Sequence, residues 1–354
     1  RGARFPNGPT PSTQDPTQRR TSITNGRDYA SDLRDWGLSA ELNYNFGDAK
    51  LTSITAYRDY KSADYGDYDY STADLLYRDP NTFRQFRTFT QELRLQGSGL
   101  GGMLDWLVGG YYAHENLKLR DNIRFGADYG RFAACRLMAG AGNASNLPAA
   151  NLALCGVPND GNPLTPDVSN LIAGTQANLN AGLTPAVGAA QAGAISTGLA
   201  NGLTALTNIP SGAGDVNTRY FQKSENWALF THNIVHIAQG LDLTVGVRYT
   251  HERKRFTSAF NNNNATCAAL QASQLPTFAT NTNPAFGTVA ALAGGILTLG
   301  CLGNSSTGLN ALNLQDTYSE GQFSGTSVLS YKINRDLLVY GSYSKGYKAG
   351  GYNL

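Results

Sequence analysis

Charge is what this 354-residue chain has little of. Asp, Glu, Lys and Arg make up only 15% of it, against roughly 25% in an average soluble domain. A net charge of +2 gives no electrostatic footing for nucleic acid. Two methionines stand against 40 glycines and 19 tyrosines, a balance that favours β-structure and turns over a helix bundle. No run reaches the roughly 18–20 uninterrupted apolar residues of a membrane helix. The nearest, PAFGTVAALAGGILTLG at 284–300, is short and glycine-interrupted and reads as a loop or a short helix. No Met stands first and no basic-then-apolar leader follows Arg1, which leaves a removed signal or a fragment.

Cysteine is also scarce. Cys135, Cys155, Cys267 and Cys301 form no CxxC pair and sit beside no histidines at zinc-finger spacing, so no metal site is expected. Cys135 with Cys155, and Cys267 with Cys301, would each close a single loop. Disulfides imply an oxidising compartment, and four buried free thiols are the alternative.

What is present is period two. In DWGLSAELNYNFG, residues Trp36, Leu38, Ala40, Leu42, Tyr44 and Phe46 fall on one face, and Gly37, Ser39, Glu41, Asn43 and Asn45 on the other. LDLTVGVRYT repeats the pattern with Leu241, Leu243, Val245, Val247 and Tyr249. Such alternation marks a strand with one apolar and one polar face. Trp36 to Phe46 spans about 33 Å, or about 25 Å of height at a tilt of roughly 40°, the apolar band of an outer-membrane barrel. A soluble sandwich strand usually runs about five or six residues. These two strips are therefore expected to face lipid.

The connections alternate in length. Strands at 33–46 and 50–60, 86–97 and 104–120, 219–237 and 241–256, and 319–332 and 337–347 meet through tight links, while 61–85, 121–218 and 257–318 are long. Barrels show this asymmetry as short periplasmic turns and long extracellular loops. Residues 1–32 would be the tail of an earlier loop. Strands 50–60 and 224–236 carry mixed faces and are left unassigned. Segment 138–215 is nearly charge-free, with stretches such as LIAGTQANLNAGL that suit short helices or disorder equally.

Six stretches then resemble the β-barrel of TonB-dependent outer-membrane receptors, in that family's order: LTSITAYRDY (51–60), FTQELRLQG (89–97), LDWLVGGYY (104–112), ENWALF (225–230), LDLTVGVRYTHERK (241–254) and VYGSYSKGYKAGGYN (339–353). The resemblance covers 33–120 and 219–354. It implies a 22-stranded barrel around a plug domain that contacts TonB. About eight strands and no plug are expected here, so the chain would be an internal piece of an all-β, antiparallel transmembrane barrel in a Gram-negative outer membrane.

Candidate ligand contacts are few. In YRDYKSADYGDYDYSTADLLYRD (57–79), Tyr60, Tyr65, Tyr68 and Tyr70 interleave with Asp64, Asp67 and Asp69. Aromatic faces there could stack on a sugar or planar ligand while a carboxylate such as Asp67 accepts hydrogen bonds. The alternative is a rim girdle and a solvated loop. Tyr347 and Tyr352 of GYKAGGYN lie in a second loop entry, whose glycines would bend the strand at the rim. EF-hand spacing is absent. His232 and His236 would share a strand face about 13 Å apart, and Glu92 with Arg94 would pair across strands or meet a plug. No catalytic constellation, metal site or cofactor is expected. The implied partners are outer-membrane lipid and lipopolysaccharide, TonB through the plug, and a small ligand. That ligand would be a ferric siderophore, a cobalamin or a carbohydrate. A passive porin-like channel and a secreted all-β binding or adhesion domain are the alternatives.

Overall fold

A computed structural model describes Thr24, residues 26–27, 29–70, 73–140 and 168–352. Ten strands run in chain order: β1 (Ala30–Phe46), β2 (Ala49–Asp67), β3 (Leu76–Arg78), β4 (Phe83–Gly99), β5 (Leu104–Arg120), β6 (Ile123–Phe125), β7 (Arg219–Ala238), β8 (Leu241–Ala259), β9 (Asn313–Lys332) and β10 (Leu338–Lys345). Eight of them form one antiparallel meander in the order β1-β2-β4-β5-β7-β8-β9-β10. Short β3 pairs with the tip of β2, and β6 pairs with β3. Among the described residues β1 and β10 do not pair, so the sheet stays open.

The tight links are as short as the sequence reading placed them. Phe46 pairs with Ala49 around Gly47, whose φ of +70° lies in the left-handed region that glycine enters without a Cβ penalty. The strands themselves run longer than their apolar strips. β2 reaches Asp67 and β8 reaches Ala259, so the sheet extends past its apolar zone at the long-loop end.

Register settles the faces. Stepping across the pairs Leu42–Ser53, Thr55–Gln91, Gln91–Tyr112, Tyr112–Trp227 and Leu229–Tyr249 puts the even residues of β1 and the odd residues of β8 on the same side of the sheet. The two period-two strips therefore belong to one apolar surface. The mixed strands now acquire faces too: Leu51 and Tyr57 of β2, and Trp227 and Leu229 of β7, join that surface.

An unbroken aromatic row crosses it, one ring from each of seven strands: Trp36, Tyr57, Phe89, Tyr112, Trp227, Tyr249 and Phe323. Neighbouring centroids lie 5.4 Å apart for Trp36–Tyr57, 5.5 Å for Trp227–Tyr249 and 4.9 Å for Tyr249–Phe323. Toward the short turns, Phe46, Trp106 and Tyr331 mark a second level on the same face. Several of the polar side chains between the rows bond to one another or to backbone. Gln91 Nε2 donates to Ser53 Oγ at 3.0 Å, Asn233 Nδ2 to Thr231 Oγ1 at 2.9 Å, and Thr231 Oγ1 to Leu107 O at 2.9 Å. Bonds of this kind are what polar side chains would need in a medium that cannot hydrogen-bond.

The hydrophobic core lies outside the sheet, in the loops. Helices α1 (Tyr129–Gly140), α2 (Val168–Val187), α3 (Ala189–Thr207), α4 (Ala265–Ala272), α5 (Leu275–Ala279) and α6 (Gly287–Gly300) pack into one cap. α2 buries Leu171, Thr175, Leu179 and Leu183 at steps of four, the stripe an amphipathic helix needs. Leu199, Leu206, Leu292 and Ile296 are fully buried. Gly202 lets α3 approach closely, since a Cβ there would meet Leu275 at 2.9 Å. Two long loops from separate hairpins thus share a single core.

The all-β reading consequently holds for the wall and not for the loops. Segment 284–300 contains a 14-residue helix, and 168–207 contains two helices of 20 and 19 residues rather than short ones. Cys267 and Cys301 are disulfide-bonded with Cα atoms 4.9 Å apart. Cys135 is disulfide-bonded as well. Cys155 and residues 1–23 lie outside the described residues.

Candidate functional site

The sheet's second face is polar, and it carries the long-loop openings at its rim. Arg94 pairs with Glu92 within β4, and Arg58 of β2 binds Asp35 of β1, its Nε 2.8 Å from Asp35 Oδ1. The Glu92–Arg94 pair is thus made along one strand rather than across two. Arg248 is different. Its guanidinium lies 5.4 Å from the ring centroids of both Tyr111 and Phe230, and its Nε donates to Thr250 Oγ1 at 3.0 Å. Among the described residues no carboxylate pairs with it. Gly109 makes room for Phe230, since a Cβ there would fall 2.4 Å from the ring's Cζ. The result is a cation held between two aromatics on the polar face. Sequence spacing alone could not reveal it, because the three residues come from β5, β7 and β8.

The Tyr/Asp run of 57–79 is largely absorbed in loop packing. Asp67 accepts from the backbone N–H groups of Thr24 (3.1 Å), Asp69 (2.9 Å) and Tyr70 (3.0 Å), which makes it a turn former. Asp64 accepts from Ser31 and Ser62. The Tyr60 ring sits 6.1 Å from Phe86, and Tyr65 stands opposite Ala30 at the top of β2. Tyr68 stacks on Arg78 at 4.7 Å. Tyr70, 69% exposed, is the most open of the four tyrosines.

Tyr347 and Tyr352 belong to a second group. The strand ends at Lys345, so the glycines of GYKAGGYN follow it instead of bending it. The segment crosses the polar face: Lys254 Nζ donates to Gly350 O at 2.6 Å, Gly350 N donates to Glu320 Oε1 at 2.8 Å, and Tyr352 stacks on Phe256 at 4.8 Å. Tyr347 is half-buried beside them. Four strand steps, about 19 Å, separate this group on β8 from the group on β2, so the two form opposite edges of one rim rather than a single cluster.

Several residues that spacing did not single out hold this rim. Arg27 binds Asp74 through two 2.6 Å contacts and lies 3.5 Å over the Tyr77 ring. Asp74 in turn accepts from Ala127 N at 2.8 Å. The asparagine run 261–264 ties cap to wall: Asn262 Nδ2 donates to Asn304 O (2.9 Å), Asn263 Oδ1 accepts from Gly214 N (3.0 Å), and Asn264 Nδ2 donates to Gly300 O (2.8 Å). At their centre Asp215 is buried. Its Oδ2 accepts from Asn304 at 3.3 Å while its Oδ1 has no partner among the described residues, and burial pushes its carboxyl pKa up to about 7 against the hydrogen bond's opposing pull. Burial also raises the Tyr129 phenol far above its ordinary value.

His232 and His236 share the polar face, but only His236 is clamped. Its Nδ1 lies 2.7 Å from Asp242 Oδ1 and its Nε2 3.1 Å from Asp105 Oδ2, at the short-turn end. Among the described residues no group of three or more His, Cys, Asp or Glu is arranged to hold a metal ion. A groove of about 440 Å³ opens at that same end, lined in part by Lys50, Gln96, Asp105 and His232.

With this geometry in hand, comparison with known proteins is direct. The model of the TonB dependent receptor-like β-barrel family matches residues 1–354. The chain superposes on the ferric yersiniabactin uptake receptor FyuA of Yersinia pestis at a TM-score of 0.51 and 13% identity, covering 94% of this chain and 31% of that one. The open form of the ferric-catecholate import receptor Fiu of E. coli K12 gives 0.44 at 11% identity, over 91% and 36% of the two chains. Unliganded ferric citrate transporter FecA gives 0.39 at 9%, over 91% and 30%. The chain therefore spans about a third of the length of these solved structures. No curated protein matches it.

Proposed function

This chain belongs to the TonB-dependent receptor-like β-barrel family, a family of receptors rather than enzymes, and from that premise we propose that it forms part of the wall and ligand-facing loops of an outer-membrane transporter. The transporter would take up a scarce nutrient across a Gram-negative outer membrane: a ferric siderophore, a cobalamin or a carbohydrate. The apolar face with its aromatic row meets lipid. The polar face lines the lumen, and the cap and the Tyr60–Tyr70 and Tyr347–Tyr352 rims lie outside the cell. Ligand binds at those rims and passes inward when TonB acts through a plug domain.

One observation carries this reading. Two strips, on β1 and β8, are brought by five successive registers onto one apolar face, with all helical loops at one end of the strands and only tight turns at the other. Arg248 between Tyr111 and Phe230 supplies a lumen contact suited to an anionic or planar group.

The test is uptake by cells with and without the gene, using a ⁵⁵Fe-siderophore panel, ⁵⁷Co-cobalamin and a labelled oligosaccharide, each with and without an uncoupler. The reading expects one label to accumulate only when both gene and proton-motive force are present. Gene-dependent entry that persists with the uncoupler would make the protein a passive channel. Recovery of the native protein without detergent would make it a secreted binding domain.

A further inference from the structure

We propose that the polar face of β8 and β9 carries a binding site for a peptide-like ligand, one with a side-chain-free glycyl unit and an aromatic ring two residues further on. Residues 346–352 of the chain occupy that site as a strap and leave it when the ligand enters. The inference deepens the reading of this face as the ligand-facing lumen and rests on it.

The occupant shows what the site recognises. Both backbone polar groups of one glycine meet charged side chains. Gly350 N donates to Glu320 Oε1 at 2.8 Å, and Lys254 Nζ donates to Gly350 O at 2.6 Å. Such charge-assisted bonds are roughly twice as strong as neutral ones. Two residues on, the Tyr352 ring stacks on Phe256, with centroids 4.8 Å apart and an interplanar angle of 19°. Space demands the glycine. A Cβ at Gly350 would fall 2.7 Å from Cζ of Tyr318, whereas one at Gly351 would meet nothing closer than Lys254 Nζ at 3.6 Å. Neither glycine lies in the left-handed region, so the two differ in room and not in backbone conformation.

The site stands without its occupant. Lys254 is held by Glu252 at 3.0 Å, and Glu252 in turn accepts from Ser224 Oγ at 3.3 Å. Glu320 Oε2 accepts from Tyr318 OH at 2.8 Å. Neighbours on β7, β8 and β9 therefore fix both charges, the preorganisation that a binding site needs. The strap itself has no regular secondary structure. Being tethered, it competes at a high effective concentration, so a free ligand must match its chemistry to displace it. A glycyl unit between two amides, followed by an aromatic ring, supplies that match.

The native protein, purified in detergent, would be titrated with two dye-capped peptides, Ala-Gly-Gly-Tyr-amide and Ala-Ala-Gly-Tyr-amide, and followed by fluorescence anisotropy. A nitroxide on Lys348→Cys, at an exposed position of the strap, reports whether the strap is docked. Gly350→Ala should free that nitroxide and bind the glycyl peptide more tightly than wild type by about tenfold or more, the worth of a bond to a charged group. Gly351→Ala should match wild type. The alanyl peptide should show no such gain. Adding Glu320→Gln or, separately, Lys254→Met to Gly350→Ala should abolish it. Equal binding of the two peptides by Gly350→Ala would overturn the proposal. So would a strap freed with no gain in glycyl binding, or a strap that Gly350→Ala leaves docked. The uptake experiment fails separately: peptide binding without gene-dependent uptake of any label would sink the transporter reading and leave this site standing.

Discussion

Val245 and Thr244 are neighbours on β8 whose side chains leave opposite faces of the sheet. Replacing Val245 by Arg should cost ~2–4 kcal/mol and block assembly, as an arginine near mid-bilayer does. Leu42→Arg should do the same, while Thr244→Arg should assemble normally. Heat-modifiable mobility of the membrane fraction reads all three. This contrast was legible from sequence, because period two names the two faces without any register. Asp67 and Asp215 were not legible in the same way. Acidic residues among tyrosines suggest ligand contact, yet Asp67 spends one oxygen on backbone N–H groups of its own turn and the other on the N–H of Thr24. Asp215 is buried by segments more than 40 residues away in sequence.

Asp215 also makes a pH prediction. Its folded pKa of about 7 stands above the ordinary 3.8. Its contribution to stability is therefore fully present below about pH 3.8 and is lost as pH rises through about 7, where the charged form must be buried. Hydrogen exchange at 213–218 and 261–264, corrected for intrinsic rates, should quicken between pH 5 and 8. Asp215→Asn should flatten that dependence, and an unchanged slope would show that another group governs it.

At the scale of elements the strands and the loops were unequally readable. Strand pairs joined by tight links announced themselves through apolar alternation and glycine turns such as Gly47. The cap did not, because its core is built from Ala, Gly, Leu and Thr in low-complexity runs, and its buried stripe at Leu171, Thr175, Leu179 and Leu183 is interrupted by polar neighbours. What makes those helices stable is packing between loops from different hairpins, which no single segment encodes. Thr175 illustrates the point: its hydroxyl is buried yet satisfied by Leu171 O at 2.8 Å. Opening the Cys267–Cys301 bond, which links residues 34 apart, should cost the cap about 3–4 kcal/mol. Cys267→Ser/Cys301→Ser should then lose exchange protection in α4 and α6 while β7 and β8 keep theirs. Asn264→Ala, which removes a buried bond to Gly300 and the N-cap of α4, should weaken the same region by about 1–3 kcal/mol.

At the scale of the whole molecule the architecture inverts that of a soluble protein. The eight-stranded wall has one apolar and one polar face, which the proposed reading makes its outside and its inside, and its only extensive hydrophobic core among the described residues sits in the loops. In water such a wall would bear a broad exposed apolar surface, including Trp36, Leu38, Leu229 and Phe323, far beyond what soluble monomers tolerate. In lipid, as proposed, that surface would be the stable side. The measurement that tests this most directly is nitroxide scanning of residues 241–250 in the protein as assembled in its native outer membrane, with oxygen and a polar nickel chelate as relaxants. Leu241, Leu243, Val245, Val247 and Tyr249 should be oxygen-accessible and chelate-protected, and the residues between them the reverse. Loss of that two-residue alternation, or chelate access at every position, would contradict a membrane-spanning wall.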